Sequence, residues 1–324
     1  MNDFIKEIER AESIVILGHI SPDGDCVGSC LGVSNYIFDN YPEKQIDIYL
    51  EEFKPDFQFM RGAGRIYHEK KEKTYDLCIS LDSAQLERHG EFEVYFHSAK
   101  RTMCVDHHVS NPGFGDVCFL KTECSATAEA IATLLDMEKV NRECAECLYL
   151  GIVHDTGVFK YNNTTRQTME IAGQLLEKGA RNTFVIDGTF YKKTFLQNKI
   201  LAKALDSAFL MFDGKVIVSY LTKEVFEECG ATNLDTDGVV DALRITDGVE
   251  CALWMYEYPN KGEFKCSLRS NEIVNVNLVA NAFGGGGHVR AAGCRVQGNA
   301  DSMILQITDL IKQQLENGQD NIHG

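Results

Sequence analysis

The sequence lacks a long hydrophobic run, which excludes a transmembrane helix. No apolar segment approaches the roughly 20 residues that a transmembrane helix needs. Residues 1–7 read as the start of an amphipathic helix and not as a signal peptide. Hydrophobic residues make up 44% of the chain, which is ordinary for a globular protein. Together these features predict a cytoplasmic protein that makes no membrane contact.

A disulfide framework is also missing, although the chain has twelve cysteines. Most of them lie singly in apolar segments, where buried free thiols behave as small hydrophobic side chains. Cys144 and Cys147 form one C-x-x-C in a helix-like stretch without a second pair, so a zinc or redox site there is disfavoured. We therefore expect the cysteines to be reduced and to play no part in chemistry.

The chain has no basic excess, because its formal net charge is −16. A protein that coats long nucleic acid needs a basic surface to neutralise phosphates, so that class is excluded and no track for long nucleic acid is expected. Small phosphorylated compounds stay open as partners. Metal ions and a few arginines can hold one or two phosphates locally.

Short apolar runs alternate with helix-compatible segments in the first half of the chain. The runs are Ile14–Leu17, Ile46–Leu50, Leu77–Leu81 and Met103–Val105. This alternation predicts an α/β domain over residues 1–185, with a parallel sheet and helices on both faces. A connecting helix is predicted over 186–205. Residues 206–324 are predicted to form a smaller, mixed α/β domain, with strands over 215–221, 250–256 and 264–268 and a turn over 258–262.

Acidic residues and histidines follow the predicted strands, where ligands of parallel sheets bind. They are His19, Asp23, Asp25, Asp82, Asp106, His107, His108 and, after a helix-like segment, Asp155. Oxygen and imidazole ligands suit manganese or magnesium better than structural zinc. The set is too large for one ion and fits two divalent metals, a pairing that suits phosphoester hydrolysis.

These residues resemble the motifs of a known family. H-x-x-x-D-x-D from His19 to Asp25, the isolated Asp82, Asp106-His107-His108 and Asp155-Thr156-Gly157 are similar, in this order, to motifs one to four of the DHH phosphoesterases. Residues 283–288, FGGGGH, followed by Ala291-Ala292-Gly293, resemble the signature of the associated DHHA1 domain. The first predicted domain is thus similar to a DHH domain and the second to a DHHA1 domain.

The resemblance implies a role for each matching residue. One metal would be held by His19, Asp23 and Asp82, and the other by Asp25, Asp82, His107 and Asp155. Asp82 would bridge the two ions, Asp106 would orient a histidine, and His108 would face the substrate phosphate. Asp82, Asp106 and His108 are therefore the expected catalytic residues. Manganese is the expected metal, with magnesium and cobalt as alternatives.

The resemblance also implies a second group of residues that bind substrate. They are Arg88, Arg269, Ser270, Gly285, Gly286, Gly287 and His288. Glycines let successive backbone N–H groups turn toward an anion, and an arginine can bind phosphate through two parallel hydrogen bonds. This group would hold a terminal phosphate or the adjacent nucleotide.

Within the family, the size and motif set resemble the stand-alone nanoRNase/pAp phosphatase group. That resemblance implies hydrolysis of very short RNA oligonucleotides, or removal of the 3′-phosphate of adenosine 3′,5′-bisphosphate (pAp). The alternative is a phosphodiesterase of linear or cyclic dinucleotides such as pApA, pGpG or cyclic-di-AMP. A non-catalytic nucleotide sensor is a third interpretation, which the intact ligand set disfavours. The sequence leaves a homodimer open.

Overall fold

The chain divides into two compact units between Lys192 and Lys193 in the computed structural model, which describes residues 3–257 and 260–320 and side chains up to residue 316. Each unit is built around its own six-stranded sheet. In the described part of the chain, no helix combines the length and apolarity that a membrane span requires.

The sheet of the first unit is entirely parallel, as predicted. Its strands are β1 Ser13–Leu17, β2 Gln45–Tyr49, β3 Ile66–Tyr67, β4 Leu77–Leu81, β5 Arg101–Asp106 and β6 Val117–Leu120. Their order is β3-β2-β1-β4-β5-β6. The four predicted apolar runs form β1, β2, β4 and β5. The sequence did not predict β3, which has two residues, or β6, whose side chains are only half-buried on one face.

Helices cover both faces of this sheet, which confirms the predicted layers. They are α1 Asp3–Arg10, α2 Gly24–Asn40, α3 Glu93–Ser98, α4 Thr127–Ala132, α5 Arg142–Asp155, α6 Arg166–Glu177 and α7 Asn182–Ile186. Alternate residues of β1 supply the two cores, because successive side chains of a strand point to opposite faces. Ile14 and Ile16 join the core around α2 and α5, whereas Val15 and Leu17 pack with aromatic residues near α3.

The segment predicted as a connecting helix contains two separate helical pieces. A π-helical turn over Asp187–Tyr191 follows α7. Helix α8, Phe195–Asp206, begins after Thr194, whose side chain accepts a hydrogen bond from the Gln197 backbone N–H in a capping box. Residues 192–194 therefore interrupt the helix.

The sheet of the second unit is mixed, as predicted. Its strands are β7 Phe209–Met211, β8 Val216–Leu221, β9 Cys251–Glu257, β10 Glu263–Ser270, β11 Gly286–His288 and β12 Ala291–Gln297. The order is β11-β12-β10-β9-β8-β7, and only the β8–β9 pair is parallel. Of the turn predicted over 258–262, Tyr258 and Pro259 lie outside the described residues. Gly262, at φ +77°, leads into β10.

Helices again pack on both faces of the second sheet. They are α8 with α9 Lys223–Cys229 and α10 Val239–Arg244 on one side, and α11 Val276–Asn281 with α12 Ala300–Asp320 on the other. Alternation along β9 separates the two cores. Trp254 and Tyr256 belong to the first, and Leu253 and Met255 to the second.

Helices α2 and α5 approach each other closely at Gly28. A Cβ atom added at Gly28 would lie 2.5 Å from the Cys147 carbonyl oxygen and 2.7 Å from the Gly151 nitrogen. Both are backbone atoms of α5, so they cannot move aside as a flexible side chain would. The close contact is significant because α2 begins directly after Asp23 and carries Asp25 in its first turn.

We predict that Gly28→Ala destabilises the protein by at least about 1–3 kcal/mol, the usual cost of overpacking a core. Gly173→Ala is the matched control, because Gly173 lies inside α6 and an added Cβ there meets nothing within 4 Å. Removing a helical glycine at an open position should stabilise by roughly 0.5–1 kcal/mol. Chemical unfolding of both variants measures the difference, and equal stabilities would contradict the close-packing argument.

Candidate active site

The candidate metal ligands meet at one edge of the first sheet. Strands β1, β4 and β5 are neighbours and parallel, so their carboxyl ends lie side by side. His19 follows β1, Asp82 follows β4, and Asp106 ends β5 directly before His107. Asp155, the last residue of α5, reaches the same place.

Asp82 lies between the two histidines and is 2% exposed. Its Oδ2 is 3.5 Å from His19 Nε2, and its Oδ1 is 3.8 Å from His107 Nε2. Each carboxylate oxygen of Asp82 thus faces a different imidazole. The backbone of Asp82 has φ +56°, a conformation that costs energy for a residue with a side chain and that clusters at functional sites.

The imidazole of His19 is oriented by its own loop. The Nδ1 atom is 2.8 Å from the Ile20 carbonyl oxygen, to which it can donate, and this leaves Nε2 facing Asp82 and, at 3.7 Å, Asp23 Oδ1. Burial lowers the pKa of His19, but the two carboxylates outweigh burial and raise it to about 12. The surroundings of this ring therefore favour positive charge strongly.

His107 forms the corresponding centre on the other side of Asp82. Its Nε2 lies 3.2 Å from Asp155 Oδ2 and 4.0 Å from Asp25 Oδ2, while Nδ1 is 3.3 Å from the Cys124 carbonyl oxygen. Burial lowers the pKa of His107, but Asp155 and the other carboxylates raise it to about 10. As with His19, Nε2 is the atom directed at the carboxylates.

Asp25 is a buried carboxylate beside Asp82 and Asp155. Burial, together with the charges of Asp82 and Asp155, raises its pKa well above the ordinary value, and burial raises the pKa of Asp155 as well. Backbone N–H groups of Thr127 and Ala128 donate to Asp25 at 2.6 and 3.0 Å. Crowded carboxylates that resist ionisation are stabilised by a divalent cation, and their oxygens with two imidazole nitrogens form a donor set that fits one.

Asp106 orients the neighbouring loop. It is fully buried and accepts hydrogen bonds from the His107 backbone N–H at 2.9 Å, from Asn111 Nδ2 at 2.7 Å and from His108 Nδ1 at 2.8 Å. The Asp106 carboxylate raises the pKa of His108. The His108 side chain is 43% exposed, so it is accessible to a substrate.

Cys26 also lies near this site, which the sequence interpretation did not anticipate. The ligand atoms of His19, Cys26 and Asp82 lie within 4.8 Å of one another. Burial raises the pKa of the Cys26 thiol well above its usual value. A metal is bound by the thiolate and not by the thiol, so the oxygen and nitrogen ligands remain the better donors.

Sequence reasoning assigned nothing to His89, yet His89 supports the loop that carries His19. The side chain is 1% exposed, and its ring nitrogens lie 2.9 Å from the Gly18 carbonyl oxygen and 2.7 Å from Ser80 Oγ. Burial lowers its pKa to about 4, so the ring is neutral. The adjacent Arg88 is exposed, and its carbonyl accepts from the Ile20 N–H at 2.6 Å. In the sequence, the only feature that distinguishes His89 is its position next to Arg88.

In the second unit, Arg269 and His288 lie in one row across three strands. Arg269 of β10 pairs with Ala291 of β12, which pairs with His288 of β11. Two strand spacings place their Cα atoms roughly 10 Å apart on one face, with a small side chain between them. His288 is exposed, whereas Arg269 is half-buried and lies 3.4 Å from Asp241 Oδ1.

The structure does not bring the Ser270 side chain to this row. Ser270 is the next residue along β10, so its side chain points to the opposite face, where its hydroxyl donates to the Val274 carbonyl oxygen at 2.6 Å. Ser267 is the β10 serine on the face of Arg269. Gly286, Gly287 and His288 form strand β11, and a Cβ at Gly287 would collide with Ala291. A Cβ at Gly285 would likewise collide with the Gly293 carbonyl oxygen, so Gly285 and Gly287 permit the close approach to β12.

Comparison with known proteins gives consistent matches along most of the chain. Residues 13–152 match the DHH family, N-terminal domain, and residues 213–317 match the DHHA1 domain. The bifunctional oligoribonuclease and PAP phosphatase NrnA of Bacillus subtilis is 27% identical over 318 residues, covering 96% of this chain and 98% of that protein. The protein of the same name from Thermus thermophilus is 27% identical over 309 residues, covering 93% and 90%.

A solved structure also matches nearly the whole chain. An exopolyphosphatase-related protein from Bacteroides fragilis matches with a TM-score of 0.82 at 26% identity, covering 99% of this chain and 96% of that one. The two domain matches occur in the order that the motifs predicted. The chain therefore belongs to the DHH family of phosphoester hydrolases and carries a DHHA1 domain in its second unit.

Proposed function

We propose that this protein hydrolyses very short oligoribonucleotides and removes the 3′-phosphate of pAp. The observation that carries the proposal is the position of Asp82, whose two oxygens face His19 and His107 separately. A carboxylate in this position can bridge two metal ions, and paired ions suit phosphoester hydrolysis. The choice of substrates is supported by the names of the Bacillus subtilis and Thermus thermophilus relatives, which specify both activities.

The donor groups divide naturally between two ions. His19, Asp23 and Asp82 would hold one, and Asp25, Asp82, His107 and Asp155 would hold the other. Their oxygen and nitrogen donors suit manganese, with magnesium and cobalt as alternatives. When bound, such ions acidify water and stabilise negative charge on phosphate oxygens.

The side chains around the ions would position the substrate. His108 is held by Asp106 through Nδ1 and has a raised pKa, which favours a protonated ring that can donate to a phosphate or leaving oxygen. Arg88, exposed beside the His19 loop, would bind a substrate phosphate. Arg269 and His288 would bind the part of the substrate remote from the scissile bond.

Several further expectations belong to this proposal. The twelve cysteines are free thiols and eleven are buried, which supports a reducing, cytoplasmic location. The domain boundaries at residues 185 and 206 and a homodimer stay proposals. Proteolysis and solution mass measurements test these two points.

The function is tested with a substrate panel. Purified protein with manganese is assayed on pAp, pApA, cyclic-di-AMP and RNA from dinucleotides to about ten nucleotides. Turnover should be highest on pAp and the shortest RNAs, and Asp82→Asn should abolish it. Asp56→Asn, which removes one exposed carboxylate, is the control for charge. Preference for cyclic or linear dinucleotides would favour the alternative phosphodiesterase, and saturable binding without turnover would favour a sensor.

We predict that His107→Ala and His108→Ala fail in different ways. His107→Ala should lose bound metal, because its Nε2 faces three carboxylates. His108→Ala should retain metal but lower kcat by about 10²–10⁴-fold, the usual cost of losing a positioned acid or electrostatic contact. Elemental analysis and steady-state kinetics separate the two effects. Equal metal loss in both variants would contradict the assignment.

A second prediction concerns Arg269 and His288. Arg269→Ala and His288→Ala should each lower kcat/KM for a dinucleotide by roughly 10- to 150-fold, the equivalent of one lost charged hydrogen bond. A small generic ester, bis-p-nitrophenyl phosphate, has no remote phosphate. The two substitutions should therefore lower kcat/KM for this ester much less. Ser267→Ala on the same strand face is a control. Equal losses on both substrates would mean that these residues support the fold or the metals.

A further inference from the structure

A polar cavity lies on the sheet of the second unit, away from the Arg269–His288 row. Its volume is about 620 Å³, and Tyr256, Lys265 and Arg295 are among the residues that line it. These three residues form a row of their own across β9, β10 and β12, because Tyr256 pairs with Lys265 and Lys265 pairs with Arg295. Directly paired residues share a face, so all three side chains point the same way.

The two cations of this row have no ion-pair partner among the residues that the structure describes. Lys265 and Arg295 are both exposed, and like charges directly opposite on neighbouring strands destabilise a sheet. Glu263 also lines the cavity, but its carboxylate already accepts from Asn260 Nδ2 at 2.9 Å and from Gln297 Nε2 at 3.5 Å. In a chain with a net charge of −16, such an unpaired basic pair offers a place where an anion can bind.

Tyr256 adds an independent observation at the same place. The side chain is only 1% exposed, yet its hydroxyl has no hydrogen-bond partner within the described ranges. Buried hydroxyls are nearly always hydrogen-bonded, so an unpaired one on a residue that lines a cavity requires an explanation. An oxygen of a ligand in the cavity would accept the hydrogen bond of this hydroxyl.

We infer that this cavity binds a phosphate group of a nucleotide ligand. Arginine binds phosphate through two parallel hydrogen bonds and lysine acts as a compact point charge, so Arg295 and Lys265 complement each other. Lys265 lies four residues from Arg269 on the same face of β10, which separates their Cα atoms by about 13 Å. The cavity is thus a second phosphate site and not part of the Arg269–His288 row.

The phosphate has two sources that share this chemistry. It belongs either to an oligoribonucleotide substrate, at a position remote from the scissile bond, or to a free nucleotide that acts as an effector. The first source is the one we favour, and it depends on the proposed function. Binding itself does not depend on that function, because it requires neither metal nor hydrolysis.

Binding is measured by equilibrium dialysis with inorganic phosphate and with a 5′-phosphorylated RNA of about five nucleotides, in the presence of EDTA. Arg295→Gln and Lys265→Gln should each weaken binding by roughly 10- to 150-fold. Arg295→Lys should restore part of the affinity because the charge is retained. Lys203→Gln, which removes one exposed charge from α8 in the same unit, should bind as the wild type does.

The single tryptophan provides a local readout of the same titration. Trp254 is buried, and its ring lies 5.6 Å from the ring of Tyr256, so its fluorescence should change on binding in the wild type and in Lys203→Gln. Failure of the wild type to bind either probe in dialysis would overturn the inference. Equal affinity of wild type, Arg295→Gln and Lys265→Gln would overturn it as well.

Kinetics with metal then identifies the source. A higher KM of Arg295→Gln for the five-nucleotide RNA, with an unchanged KM for pAp, assigns the phosphate to the substrate. Activation or inhibition of the wild type by free AMP, absent in Arg295→Gln, assigns it to an effector. If the protein binds phosphate in EDTA but hydrolyses none of the substrates, the proposed function fails while the phosphate site stands.

Discussion

Mutual repulsion among carboxylates is the constraint on which the first unit depends. Asp25, Asp82 and Asp155 all approach His107, and Asp82 also approaches His19. Burial removes the water that would otherwise screen these charges, which is why the pKa values of Asp25 and Asp155 are raised. A scaffold that holds such groups together must supply rigid anchors, and three adjacent parallel strand ends provide them.

The segment over residues 124–128, which ends in the first residues of α4, is a second anchor that the strands alone would not provide. The Cys124 carbonyl contacts His107, Thr127 Oγ1 donates to Asp82 at 3.0 Å, and the Thr127 N–H donates to Asp25. Asn163 ties this segment to Asp155, because its Nδ2 donates to the carbonyl oxygens of Ser125 and Asp155. Asp25 and Asp82 are thus held by hydrogen bonds from a segment far from them in the sequence.

These contacts explain why the sequence indicated the candidate ligands but not the residues that support them. His19, Asp82 and His107 could be found because they follow apolar runs that form buried strands. Thr127 and His89 carry no such signal, since their roles arise from backbone groups that only the folded chain brings near. The prediction for Ser270 failed because of the alternation of side chains along a strand. Ser270 is adjacent to Arg269 in sequence, but one residue along a strand reverses the face, and Ser267 is the serine that shares it.

The net charge of −16 conceals a difference in where the two units place their charged side chains. The first unit concentrates carboxylates and so attracts cations, through which phosphate can bind. The second unit exposes cations, where Lys265 and Arg295 face each other at a cost to the sheet and Arg269 is only partly neutralised by Asp241. An acidic surface elsewhere repels long polyanions, whereas these local sites attract single phosphates. The charge distribution therefore favours short phosphorylated ligands over long ones, independently of any steric effect.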